Sequence, residues 1–258
     1  MDKIIQHFRK DEQPFIETVS GWIREVEDRY APKLTGFLDP RQRFIVQSML
    51  GGSELLWQAD GNFSDAERQR MLIYPNYFVP EKEDFQLTVF QVKYATKFLT
   101  IEHRDVLGSL MSLGIDRAKF GDIRIEQDIV QFAVAAELDD YLIANFNSIG
   151  KAKVAIEMES DSENWIQYSD EWVEELHIVS SLRLDVIVAA ITNSSRQKAT
   201  MLIQRENVKV NWTTRDEPAF ELQESDLLSV RGAGRFNIMA IEGRTKKEKI
   251  RLLIGRLE

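Results

Sequence analysis

The 258-residue chain is long enough for two or three domains, and its 43% hydrophobic and 29% charged residues predict soluble, well-cored ones. No apolar run reaches the ~18 residues of a membrane span, the charged start "MDKIIQHFRKDEQ" does not read as a secretory signal, and the absence of cysteine excludes disulfides, thiolate metal sites and cysteine nucleophiles. The net charge of −9 is unevenly spread: 14 Lys+Arg face 10 Asp+Glu from Ser180 onward, against 19 and 32 before it, so a basic tail module follows an acidic body.

Residues 1–75 read as a mainly helical domain. "QPFIETVSGWIREVEDRY" spaces Phe15, Val19, Trp22 and Val26 helically, with Pro14 in a first-turn position. "LDPRQRFIVQSMLGG" predicts a second helix capped by Asp39, with Pro40 at its first position and Gly51-Gly52 beyond its end. "SELLWQAD" fits strand or helix equally. "SDAERQRMLIYP" reads as a helix capped by Ser64 and stopped before Pro75, with "AERQR" paired along it and Arg68 and Arg70 open to an RNA or protein contact.

Residues 76–160 give the order strand, helix, strand, strand, helix, strand. The stretches are "FQLTVFQVKYA", "TIEHRDVLGSLMSLGI" with Thr100 as cap, "DIRIE" and "IVQFAVA" around a Gln127-Asp128 turn, "AELDDYLIANFNSIG" closed by Gly150, and "KAKVAIEM". This βαββαβ order is the ferredoxin-like pattern that RNA-recognition motifs share. Base-stacking motifs of that kind carry basic and aromatic residues in the third strand. "IVQFAVA" offers only Phe132, so a structural or protein-facing sheet is the stronger expectation. The connector "ESDSENWIQYSDEWVEEL" holds Trp165, Tyr168 and Trp172, which predicts that it packs.

Residues 180–258 form the third domain. Leu184, Ile187, Val188 and Ile191 line one face of a short helix, Asn193-Ser194 break it, and Ser194 or Ser195 caps a second helix with Ala199, Leu202 and Ile203 inward. Arg196 lies at one edge of that stripe, Lys198 and Arg205 toward the other, and the free N–H groups at the helix start favour a phosphate. "VKVN" is a strand exposing Lys209; Arg231 and Arg235 bracket a glycine-rich turn; "RTKKEKIRLLIGRLE" is a basic loop and closing strand.

Several motifs imitate chemistry. "HRD" at 103–105 resembles a kinase loop but has Leu110 where Asn is required. "RGAGRFN" lacks the helix of a dinucleotide fingerprint. His7, His103 and His177 have no metal-ligand spacing, so neither a metal nor a cofactor is expected. "RLD" at 183–185 also occurs in pseudouridine synthases, yet Asp185 opens a helix here and reads as a cap.

"RLD" at 183–185, "SR" at 195–196, "MLIQRENVKVN" at 201–211 and "SDLLSVRGAGRF" at 225–236 together resemble the S-four RNA-binding domain. That resemblance implies an α/β module whose helix pair and following strand meet structured RNA through Arg183, Arg196, Lys198, Arg205, Lys209 and Asn211, with Arg231, Arg235, Lys246 and Lys247 as weaker additions. Glu206 or Asn207 stands where many members have glycine. With "FLDPRQ" at 37–42, "AERQRMLIYP" at 66–75 and "SSLRLD" at 180–185, the whole chain is similar to the YlmH family of bacteria and plastids. The resemblance implies an α+β protein in three parts. It also implies a cytoplasmic, monomeric, non-catalytic binder of ribosomal RNA on the large subunit, with tRNA as a further partner, acting in rescue of stalled subunits. An RNA-modifying enzyme and a cell-division scaffold are the competing readings.

Overall fold

The computed structural model describes residues 8, 12–97, 99–167 and 172–257. The chain divides into two compact units, Met1–Tyr168 and Ser169–Glu258.

In the first unit, helix α1 (Gln13–Arg29) has Pro14 in its first turn and buries Ile16, Val19, Ile23 and Val26. Phe15 and Trp22, expected on that face, lie at its edge and pack ring against ring at 5.9 Å. Strand β1 (Lys33–Leu38), which the sequence pattern had not shown, leads to α2 (Pro40–Leu50). Asp39 caps α2 as expected, and the cap is closed reciprocally: the Gln42 N–H donates to Asp39 Oδ1 at 2.8 Å, and the Asp39 N–H donates to Gln42 Oε1 at 3.0 Å. The ambiguous "SELLWQAD" stretch becomes strand β2 (Leu56–Asp60).

The expected helix after Ser64 is instead strand β3 (Gln69–Tyr74), the centre of an antiparallel sheet in the order β1-β3-β2. A continuous apolar run fits a buried helix turn or a central strand equally by periodicity. What decides is the pairing on both edges, which satisfies the strand's backbone groups while Arg70 through Tyr74 are buried. Residues 1–75 are therefore mixed α/β rather than mainly helical. Arg68 and Arg70, read as surface side chains, are 7% and 5% exposed. Arg70 donates to the carbonyls of Thr35, Phe85 and Gln86 at 2.9 to 3.2 Å, and Arg68 donates to the Phe37 carbonyl at 2.8 Å. Neither offers a contact to RNA.

The same unit continues with β4 (Leu87–Lys93), α3 (His103–Ser112), β5 (Phe120–Glu126), β6 (Ile129–Ala135), α4 (Asp139–Asn145), the short pair β7 (Ser148–Ile149) and β8 (Ala152–Lys153), and β9 (Ala155–Met158). The longer strands form an antiparallel sheet in the order β5-β6-β4-β9. Glu102, not Thr100, caps α3, and its N–H donates to Asp105 Oδ2 at 3.0 Å, which gives the aspartate of "HRD" a structural role. Gly150 does not close α4; it turns β7 into β8 at φ 58°.

Phe132 is fully buried on the helix side of this sheet, with Phe90 and Phe146 rings 5.8 and 5.5 Å away. On the opposite side, Val89, Ala133 and Ala135 share a core with Phe37, Phe63, Ala66 and Trp165. Gln131 fastens that cover: its Nε2 donates to the Asn164 carbonyl and its Oε1 accepts from the Ile166 N–H, both at 2.9 Å. The face that would stack bases in an RNA-recognition motif is thus filled by the chain itself, and the expected boundary at 75/76 falls inside one packed unit. Trp165 packs as anticipated; Tyr168 lies outside the described residues.

The second unit comprises β10 (Trp172–Val179), α5 (Leu184–Ile191), α6 (Arg196–Gln204), β11 (Val208–Val210), β12 (Thr213–Thr214), β13 (Leu227–Val230), β14 (Gly234–Arg244) and β15 (Ile250–Leu257). Its antiparallel sheet runs β10-β15-β14-β13-β11-β12. Leu184, Ile187 and Val188 of α5 and Ala199 and Ile203 of α6 bury against Val208, Val210, Leu228, Phe236 and Ile254, while Ile191 and Leu202 are only partly covered.

Candidate nucleic-acid interface

Ser195 caps α6 as expected, its Oγ accepting the Lys198 N–H at 3.2 Å. Asp185 does not cap α5; that position belongs to Arg183, and the Asp185 side chain instead sits between two guanidiniums. Arg183 donates Nε to Oδ1 at 3.1 Å and Nη2 to Oδ2 at 3.0 Å, and Arg196, at the start of α6, donates Nε to Oδ2 at 2.9 Å. Burial raises the carboxyl's proton affinity, but the bonds from Arg183 and Arg196 outweigh it and hold Asp185 below the usual carboxylate range. The Arg183 side chain remains 37% exposed and that of Arg196 58%, against 4% for Asp185. With five N–H donors per guanidinium, each arginine keeps donors for an outside acceptor while one carboxylate fixes its plane.

Lys198, Met201, Leu202 and Arg205 recur at helical spacing along another stripe of α6 and, with Thr192, Ser194 and Asn207, line a groove of ≈ 260 Å³. The Arg231 N–H donates to the Asn207 carbonyl at 2.9 Å, which brings the glycine-rich turn to this rim. Lys209 pairs in register with Ser229, and Ser229 with Arg235, so they form one row on the sheet face turned away from the helices. Three expected members do not join. Asn211 is 8% exposed; its Nδ2 donates to Asp226 Oδ1 at 2.8 Å and its Oδ1 accepts the Leu227 N–H at 2.9 Å, a turn lock rather than a contact residue. Lys246 and Lys247 sit in the β14–β15 loop. That loop is at the opposite end of an 11-residue strand from Arg231, about 30 Å away at ~3.3 Å per residue.

Of Glu206 and Asn207, the two positions noted for the family's glycine, Glu206 adopts φ 58°. The sequence reading missed Asp185 as the organiser of its two arginines; an acid two residues from one arginine and eleven from the other was the available signal. Among the described residues no group of three or more His, Asp or Glu side chains is placed to hold a metal ion, and no helix is long and apolar enough to cross a membrane. His7 lies outside the described residues.

The helix pair, its cationic rims and the sheet beneath define a protein with an RNA-binding module of the S-four type at its C-terminal end. Residues 182–228 match the S4 domain, and residues 80–163 match the model described as "Putative RNA-binding domain in YlmH". The chain is 41% identical over 256 residues to "Ribosome-associated protein quality control protein P2" of Bacillus subtilis (strain 168), covering 99% of each chain. It is also similar to a solved structure, "Cell division protein ylmH from Streptococcus pneumoniae", with a TM-score of 0.55 and 32% identity over 61% of this chain and 96% of that one. The chain belongs to the YlmH family.

Proposed function

We propose that the C-terminal unit binds structured ribosomal RNA without catalysing a reaction, and that the protein acts on the large ribosomal subunit in the cytoplasm as a monomer during rescue of stalled subunits, with tRNA as a further ligand. The observation that carries this reading is the pair Arg183 and Arg196, aligned by one buried carboxylate and open on the outer side. Planar guanidiniums held in this way suit bidentate phosphate contacts on a folded RNA backbone. The relative named for ribosome-associated quality control supports the setting. The element order and the strand order β5-β6-β4-β9 support reading residues 76–160 as a ferredoxin-like domain fused to residues 1–75, a body that places the RNA-binding module.

The pseudouridine-synthase-like alternative would use Asp185 as a nucleophile. A carboxylate whose side chain is 4% exposed and bonded to two guanidiniums is suited to orienting them, not to attacking a base. Ribosome sedimentation combined with salt-dependent RNA binding tests the reading. The intact protein should co-sediment with large subunits. For ~4 phosphate contacts its logarithmic salt slope should be about −3 to −4. Arg196→Glu should weaken binding and flatten that slope; a folded variant with both unchanged would refute the assignment, and absence from ribosomal fractions at low salt would favour the scaffold role.

A further inference from the structure

The groove on α6 has a chemistry that phosphate contact alone does not use. Met201 is 42% exposed in its middle, Leu202 continues the apolar floor, and Lys198 and Arg205 stand at its two ends, two helical turns or about 10 Å apart. Among the described residues, Lys198 and Arg205 make no ion pair, the Asn207 side-chain amide makes no hydrogen bond, and no acidic side chain lines the groove. Thr192 and Ser194 hydroxyls, 2.9 Å apart, close the remaining side. A thioether exposed between two unpaired cations costs apolar hydration in the free protein, and an occupant that is both flat and anionic at its edges would relieve it.

We infer that this groove holds a single unpaired nucleobase extruded from the bound RNA, with its flanking phosphates on Lys198 and Arg205. The inference rests on the RNA-binding reading above and adds the feature of the RNA that is selected. A thioether packs favourably against an aromatic ring, so Met201 and Leu202 supply a stacking floor where a duplex backbone would find none. The Asn207 amide has the paired donor and acceptor that match the N6/N7 edge of adenine. The charge balance of the rim suits an anionic strand and disfavours an apolar peptide.

The test compares three RNA hairpins of one stem sequence: fully paired, carrying one bulged adenosine, and carrying one bulged abasic site. The abasic hairpin separates the base from the backbone bend that any bulge introduces. The intact protein should bind the adenosine bulge about tenfold or more tightly than either other hairpin, the discrimination a small apolar pocket provides. Met201→Ser should remove that difference, and Met201→Leu should retain most of it. Equal affinity for the adenosine and abasic bulges would overturn the inference and leave the groove to a protein side chain, whether or not the Met201 variants fold. RNA binding lost in Arg196→Glu together with equal affinity for all three hairpins would sink the groove proposal alone. Binding indifferent to Arg196→Glu would instead sink the reading beneath it.

Discussion

At the residue scale, Asp185 aligns two of the expected RNA contacts, Arg183 and Arg196. Its carboxylate replaces hydration with bonds from Arg183 and Arg196, and charge-assisted hydrogen bonds in such a setting contribute about 1.5–3 kcal/mol each. Because both arginines stay partly exposed, solvent screening keeps the total for Asp185→Asn near the low end, about 2 kcal/mol, together with weaker RNA binding as the guanidiniums lose alignment. The folded-state proton affinity of Asp185 is depressed, so its stabilisation is present above the ordinary value of 3.8 and is lost as pH falls below it. Urea midpoints should therefore differ between wild type and Asp185→Asn at pH 7 and converge as pH falls below 3.8; a gap independent of pH would contradict the ion-pair role. Part of this was legible in the sequence: the resemblance to the S-four domain singled out Arg183 and Arg196 as expected contacts, and the structure brings the two together on one carboxylate. The motif could not show that Asn211 turns inward, because its role depends on Asp226, a partner fifteen residues away.

At the scale of elements, two helix starts announced themselves through caps: Asp39 before α2 and Ser195 before α6 are local chemistry and survive folding unchanged. Strand β3 did not, because its identity is fixed by β1 and β2 on either side of it, and charged residues in its lead-in suggested a solvated helix. Arg70 shows what the misreading concealed. Replacing it with Met would strand the Thr35, Phe85 and Gln86 carbonyls in the interior and should cost about 3 kcal/mol, measured by chemical denaturation. A loss under 1 kcal/mol would mean that water reaches those carbonyls. The turn after α6 provides a prediction of the opposite sign. Glu206 occupies the left-handed region, which costs a non-glycine residue about 1–2 kcal/mol. Glycine relieves this but loses about 0.5–1 kcal/mol to chain entropy. Glu206→Gly should thus stabilise the second unit by roughly 0.5 kcal/mol, seen as a small rise in melting temperature.

At the scale of the whole molecule, the body carries 32 acidic against 19 basic residues and the last 79 residues carry 14 basic against 10 acidic, so RNA affinity must be concentrated where the cations are unpaired. Composition alone cannot say where that is. Arg244, Arg251 and Arg256 face Glu248, Glu242 and Glu175 and are partly neutralised, whereas Lys198 and Arg205 have no such partner among the described residues. Lys246 and Lys247 are equally basic in the sequence but stand at the far end of β14. Counterion release counts phosphates met, not cations carried, so position should separate these pairs. Lys198→Glu with Arg205→Glu should make the logarithmic salt slope shallower by about 2, while Lys246→Glu with Lys247→Glu, an identical change in net charge, should alter it by less than about 0.5. Equal effects from the two double variants would mean that long-range attraction by total charge, rather than the α6 rim, governs the encounter with RNA.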